Sequence, residues 1–376
     1  MCLLCCGLAA CHDDDDGEPV GKGIRKVYFM NSESGPGDNG YNDLIMKAEM
    51  VFSMLHPDYF VSFIGISELL GREDYYKLLT ALPTQDDSIL VVLNGSDYSE
   101  TVRKTVSIST YNEMTQKYAK DMRVLLFEDD GRDVPEHVYT FSIQRYGASY
   151  VAARLLGKKP ALVVAAMKGE PQLDSAVQGF IDGYSVENSD GPIVAYLSDD
   201  FSGFDMPDRA VQICDSVIKS FPKEQLAYRD NEFDEGLCIF PLAGGSNVGM
   251  YAYVHSLPYS WNVNIIGMDD DYCDTSYSIP FSLVLPVYVL VEDYLEMWAD
   301  NKPWPLHESF GLSSSYPIMF ALSTITFPHF LSRFNPHTTA EYPDEDSVFQ
   351  RKLDEFIEEA REKEKEYEQK LRGEKK

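Results

Sequence analysis

Asp38, Tyr41 and Asn42 stand within five residues of one another in the stretch Gly37-Asp38-Asn39-Gly40-Tyr41-Asn42. A carboxylate accepts hydrogen bonds from hydroxyls, an aromatic ring stacks on a planar group, and a carboxamide both donates and accepts. Together they suit a small polar ligand with a flat part. The stretch follows an apolar run, Lys26 to Met30, and precedes a segment where Leu44, Ile45, Ala48, Val51, Phe52 and Leu55 recur at helical spacing. It therefore reads as a strand-to-helix turn. In open α/β sheets, turns at the carboxyl ends of strands line the ligand crevice.

Four more polar turns follow apolar runs in the same way: Asn94-Gly95-Ser96-Asp97, Glu128-Asp129, Leu242-Ala243-Gly244-Gly245-Ser246-Asn247 and Gly267-Met268-Asp269-Asp270-Asp271. The glycines let a backbone approach a ligand closely, and the helix that opens behind them offers free amides. An aspartate at a strand end can take two sugar hydroxyls through its two oxygens. Five polar turns on one edge mark a binding site. Met167, which closes the run 160–167, falls on that edge too. The predicted ligand contacts are Asp38, Tyr41, Asn42, Asn94, Met167, Gly244, Gly245 and Asp269.

Other chemistries find less support. Residues 35–40, GPGDNG, fit the G-x-G-x-x-G fingerprint of dinucleotide sites, but four residues separate them from the strand and Asp38 would oppose a pyrophosphate. The acid expected after the second strand is replaced by Gly65-Ile66-Ser67. No cofactor is expected. Val248 stands where a nucleophile elbow needs its last glycine. The short run of aspartates at 269–271 does not complete a calcium loop, the seven histidines lack ligand spacing, and no cysteine pattern builds a metal site, so no metal is expected. No catalytic group assembles, and the chain reads as a binding protein rather than an enzyme.

Continuous apolar runs at 26–30, 59–64, 88–93, 123–127, 160–167, 192–197, 237–242 and 262–268 predict strands covered on both faces. Helical patterns lie between them, at 42–55 and near 68–80, 97–120, 146–157, 172–184, 206–220, 246–257 and 281–299. This alternation implies βαβ units and parallel sheets. An extra extended run, His137 to Ile143, has no crossover helix before it and reads as the passage from one lobe to another. The predicted fold is α/β, with two doubly wound parallel-sheet lobes and a ligand cleft between them. The first lobe is assigned residues 23–143 plus about 270–302, the second 144–269 plus about 303–335, and a charged helix occupies 340–376.

A chain of 376 residues exceeds one compact core and fits about two domains. Its net charge of −29 argues against nucleic acid as a partner. Cys214, Cys238 and Cys273 read as buried thiols, or as one disulfide with one thiol left over. Residues 1–22 read as a lipoprotein signal and acidic spacer. The apolar run ending Leu8-Ala9-Ala10-Cys11 looks like a lipobox, with Cys11 the acylated thiol, although no lysine or arginine precedes it. His12 and Asp13 to Asp16 resemble the acidic export signal of some outer-membrane lipoproteins. The expected location is an outer membrane or cell surface, with the periplasmic face as an alternative.

Taken in chain order, Asp38-Asn39-Gly40-Tyr41-Asn42, the stretch Tyr146 to Ala152, Gln178 to Tyr184, Phe240-Pro241-Leu242-Ala243-Gly244-Gly245 and Gly267-Met268-Asp269 resemble motifs of the basic membrane protein family of substrate-binding lipoproteins. That family has the type I periplasmic-binding fold, and its members include purine nucleoside receptors. The resemblance runs from about Lys26 to Leu312. It implies that Asp38 and Asn42 bond a ligand's polar edge, Tyr41 stacks near its ring, Asp269 holds ribose hydroxyls, and a transporter receives the ligand. One departure matters: Leu285 stands where the family's nucleoside receptors place a lysine. The alternatives are a surface adhesion or assembly protein that uses the lobes without a ligand, a sensor for another small molecule, and a hydrolase or transferase acting on the captured ligand.

Overall fold

The computed structural model describes residues 25–32, 35–64, 88–105, 121–135, 138–227, 235–273, 275–323 and 345–373. Cys11 and the acidic spacer, Gly65 to Ser67, the helical pattern 68–80 and residues 106–120 lie outside them.

The apolar runs become parallel strands. In the first sheet β1 (Arg25–Met30), β2 (Phe60–Ile64), β3 (Ser88–Leu93), β4 (Asp121–Phe127) and β5 (Val138–Ile143) lie in the order β5-β4-β3-β1-β2, every neighbour parallel. Alternation along β3 shows why the run is apolar throughout. Leu90 and Val92 enter one hydrophobic cluster, whereas Ile89, Val91 and Leu93 enter another on the opposite face. The helix Tyr41–Leu55 buries Ile45, Ala48 and Phe52 and packs on the helix Val287–Ala299.

The second sheet holds β6 (Ala161–Met167), β7 (Ile193–Ser198), β8 (Leu237–Leu242) and β9 (Val263–Ile265), ordered β7-β6-β8-β9 and again all parallel. Its helices are Tyr146–Leu156, Pro171–Tyr184, Pro207–Ser220 and Asn247–Ser256. The first two meet backbone to backbone: a side chain at Gly179 or Gly183 would run into the carbonyl oxygens of Tyr146 and Tyr150. The glycine spacing of 178–184 therefore serves helix packing. The passage between lobes falls at 144–145, between β5 and the helix at Tyr146.

Three expectations need correction. The run 262–268 is two strands, because β9 pairs with β8 while β10 (Gly267–Asp269) pairs with β11 (Phe281–Val284) in a third small sheet. That sheet is completed by the antiparallel β13 (Met319–Leu322). The helical pattern at 281–299 begins with that strand β11; Pro286 then precedes a helix that starts at Val287, since proline is disfavoured inside a helix. Residues 303–335 were assigned to the second lobe, yet β12 (His307–Phe310) pairs with β5 and closes the free edge of the first sheet.

The charged tail forms one helix, Glu345–Gly373, docked on the helix Tyr146–Leu156. Leu353, Phe356 and Ala360 are buried, Tyr367 stacks on Tyr146 at 4.4 Å between ring centres, and Arg154 lies over Phe356. The buried Glu364 carboxylate accepts N–H bonds from Gly147 at 3.0 Å and Leu312 at 3.3 Å. None of Cys214, Cys238 and Cys273 forms a disulfide, and all three are buried. No helix among the described residues is long and apolar enough to cross a membrane.

Candidate functional site

The polar turns converge on one cavity between the lobes, with about 750 Å³ of space outside protein atoms, part of it open to solvent. The first lobe supplies Asp38, Tyr41, Asn42, Asn94, Glu128 and Arg145; the second supplies Glu170, Gln172, Phe201, Phe204, Gly244 and Asn247; Met268 and Asp269 come from the small third sheet.

Six of the eight predicted contacts line this cavity: Asp38, Tyr41, Asn42, Asn94, Gly244 and Asp269. Gly245 does not, because the turn exposes only its first glycine to the cleft. Met167 does not either. The short 3-10 turn Phe201–Asp205 lies across the end of β6 so tightly that a side chain at Gly203 would strike the Ala166 carbonyl. Phe201 and Phe204, with rings nearly parallel at 6.1 Å, form the wall there instead.

Asp38 and Asn42 shape the opening turn. Asp38 Oδ1 accepts from the N–H of Gly40 at 2.9 Å and Asp43 at 3.2 Å. Its Oδ2 accepts from the N–H and the side-chain amide of Asn42, both at 2.9 Å. The carboxylate's four acceptor positions are thereby filled by the start of a helix. Asn42 Oδ1 accepts from the Ser32 hydroxyl at 2.6 Å. Both residues face the cavity, but their polar atoms are held internally.

Arg145 and Glu128 form the floor. The buried guanidinium donates to Glu128 Oε1 at 2.8 Å and Oε2 at 3.1 Å, and to the Ile143 carbonyl at 3.0 Å. Burial opposes its charge, but the Glu128 carboxylate outweighs burial and holds its pKa above the ordinary value. The guanidinium carbon lies 5.9 Å from the Tyr41 ring centre, a cation–π contact that covers one face of that ring. Burial raises the Tyr41 pKa well above the ordinary range, with Glu128 adding to it.

Asp269 sits in a left-handed conformation with φ 75°, uncommon for a non-glycine residue and a mark of functional sites. Its carbonyl accepts from Leu285 N at 3.1 Å, so Leu285 is a buried backbone support for this turn. Burial pushes the Asp269 carboxyl up to about 7; Arg145 pulls it down, while Asp38 and Glu128 push it further up. Gly244 is also left-handed, at φ 50°, and a side chain there would meet Phe204 at 2.8 Å.

Four buried oxygens facing the cavity have no hydrogen-bond partner among the described residues: Tyr41 Oη, Asn94 Oδ1, Glu170 Oε1 and Gln172 Oε1. Asn94 turns its Nδ2 back to Glu49 at 2.9 Å, which directs its oxygen outward. Glu170 uses its other oxygen to cap the helix Pro171–Tyr184 through Leu173 N at 2.7 Å. Burial lifts its carboxyl to about 7, against that cap and with Glu128 adding. Buried acceptors without donors are costly unless something supplies the donor.

Arg145, Glu170, Gln172, Phe201 and Phe204 were not among the predicted contacts. Arg145 was legible in principle, as the charged residue just past the end of β5. The other four follow β6 and β7, where the chain reads as ordinary surface turns.

No known family model matches the sequence, and no curated protein is similar to it in sequence. Solved structures are similar in fold. A solute-binding protein of an ABC transporter system from Aeropyrum pernix K1 superposes with a TM-score of 0.62 at 15% identity, over 89% of this chain and 90% of that one. A glucose-galactose binding protein from Geobacillus stearothermophilus gives 0.53 at 15% identity, covering 81% and 98%. A LacI family transcriptional regulator from Enterococcus faecium, with bound ribose, gives 0.51 at 13% identity, covering 80% and 99%. These similarities establish the fold, that of type I periplasmic binding proteins with two lobes of parallel sheet.

Proposed function

We propose that the protein is a lipid-anchored, extracytoplasmic substrate-binding protein that captures a small polar ligand for uptake, with a nucleoside as the ligand. One observation carries the binding reading. Side chains from two lobes and a third small sheet line a single cavity, and four of its buried oxygens have no hydrogen-bond partner among the described residues. Solved proteins of this fold include a glucose-galactose binding protein and a regulator with bound ribose, which supports a hydroxyl-rich ligand. The finer choice of a nucleoside rests on the resemblance of residues 38–42 and 267–269 to nucleoside receptors. Phe201 and Phe204 offer an aromatic wall to a flat base, and Asp269 offers a carboxylate to ribose hydroxyls.

Lobe closure supplies the mechanism. Glu170 and Gln172 on one lobe and Asn94 and Arg145 on the other complete the site together, so a ligand that bonds both stabilises the closed form. The chain carries no chemistry on its ligand in this reading. Anchoring rests on Leu8-Ala9-Ala10-Cys11, and delivery to a transporter rests on the role that the fold and the anchor suggest.

Isothermal titration against a panel of nucleosides and free bases tests the ligand. Heat with no nucleoside removes that assignment. Where binding occurs, Asp269→Ala should weaken ribonucleosides far more than bases, and equal losses refute the ribose role. Incorporation of a labelled fatty acid that Cys11→Ala abolishes supports the anchor; label retained in that variant removes it.

A further inference from the structure

Among the described residues, five carboxylates and one guanidinium line the cavity, namely Asp38, Asp97, Glu128, Glu170, Asp269 and Arg145, and no described lysine or histidine joins them. The single cation is already committed, since Arg145 forks both oxygens of Glu128. Asp38 is compensated by the amides of its own helix start. Asp97, in the turn after β3, has partners of its own, which leaves Asp269 and Glu170. Each accepts one backbone N–H, from Tyr41 and from Leu173, the Ser96 hydroxyl also approaches Glu170 and lowers its pKa, and neither carboxylate forms an ion pair among the described residues. Both are buried, at 8% and 4% exposure. Glu170 Oε1 and the amide oxygens of Asn94 and Gln172 face the same space without a donor.

Buried charge is stable only when paired, and buried acceptors require donors. A ligand anion would add repulsion to this wall. A hydroxyl would supply a donor but leave the carboxylate charge uncompensated. A protonated amine supplies up to three donors and the missing positive charge at once. We propose that the ligand carries a protonated amine, bound against Asp269 and Glu170, with the Asn94 and Gln172 oxygens as further acceptors. This rests on the reading of the cleft as a small-molecule site and narrows the ligand to a cation.

Groups that face the two carboxyls set the pH behaviour. Asp269 feels Arg145, Asp38 and Glu128, and stands beside Tyr41, Tyr251 and Tyr272. Glu170 feels Glu128 and Arg145. Both carboxyls ionise near neutrality, whereas a primary amine stays charged, so the preference for the amine should grow as pH rises from about 6 to about 8.

Isothermal titration of the full chain compares adenosine, aminodeoxyadenosine and adenylate, in parallel with glucose, glucosamine and glucose phosphate. The amine of at least one series should bind about tenfold or more tightly than its hydroxyl parent, and the phosphate most weakly. Asp269→Asn and Glu170→Gln keep size and one acceptor oxygen for the bound backbone N–H, so the fold is retained; each should erase the amine's advantage. A parent or phosphate that binds as tightly as its amine, or an advantage that survives both substitutions, overturns the charge inference while leaving a binding protein. Heat with none of the six overturns both.

Discussion

Arg145 places Nη2 2.8 Å from Glu128 Oε1 and Nη1 3.1 Å from Oε2, and both residues sit just past the ends of adjacent parallel strands, β5 and β4. Glu128 reaches this geometry through a left-handed backbone, φ 58°, and its Oε2 also accepts from Ile143 N at 3.1 Å. The pair fixes the floor of the cleft at the point where the chain leaves the first lobe. It also neutralises the only guanidinium that lines the cavity among the described residues, which leaves Asp269 and Glu170 to the ligand.

Removing one partner of this pair should cost more than removing both. Arg145→Met leaves the Glu128 charge buried and unpaired, a loss of about 3 kcal/mol, whereas Arg145→Met with Glu128→Leu should recover most of it. Urea denaturation of the two variants checks the order. A double variant less stable than the single one contradicts it.

Stability should fall as pH rises across the neutral range. Glu49 is wholly buried in the helix Tyr41–Leu55, and burial raises its pKa from 4.5 to about 8, only partly offset by Asn94. The unfolded chain releases this proton near 4.5 while the folded chain keeps it to about 8. The folded state therefore binds more protons in that window, and stability declines as pH climbs through it, by roughly 5 kcal/mol in total. Asp269 and Glu170 act in the same direction up to about 7. Denaturation midpoints at a series of pH values should decline toward pH 8, and Glu49→Gln should flatten the decline.

Gly244→Ala should damage binding more than folding. Its left-handed φ and the Phe204 ring 2.8 Å from the added carbon both oppose a side chain. The backbone strain costs about 1 kcal/mol, and relief requires Phe204 to shift into the cleft. The ligand found by titration should then bind at least about tenfold more weakly. Unchanged affinity with a normal melting temperature would exclude Phe204 from the binding wall.

Glu364 ties the tail helix to the passage between the lobes through Gly147 and Leu312. Glu364→Ala strands two backbone donors and should cost about 2 kcal/mol. Burial lifts the carboxyl to about 7, so it is partly protonated at neutral pH. Glu364→Gln keeps one of the two acceptors and should lose about half as much, ~1 kcal/mol, by thermal denaturation. Equal losses for the two substitutions would mean that packing, not hydrogen bonding, is what Glu364 supplies.

The sequence by itself determined the strands and the edge on which to look. Runs such as Ser88–Leu93 are apolar on both faces, so they had to be parallel strands covered on both sides, and their carboxyl ends had to carry the polar turns. Asp38, Tyr41, Asn42, Asn94, Gly244 and Asp269 were legible for that reason. Tertiary structure alone decided which strand ends face each other across the cleft. Glu170, Gln172, Phe201 and Phe204 reach the cavity because the second sheet brings the ends of β6 and β7 opposite Arg145, a relation that no local spacing encodes. The same packing removed Met167, which the turn Phe201–Asp205 covers, and divided 262–268 between two sheets. Local pattern fixes what each segment is, while burial and pairing between distant segments fix which polar atoms are left facing a ligand.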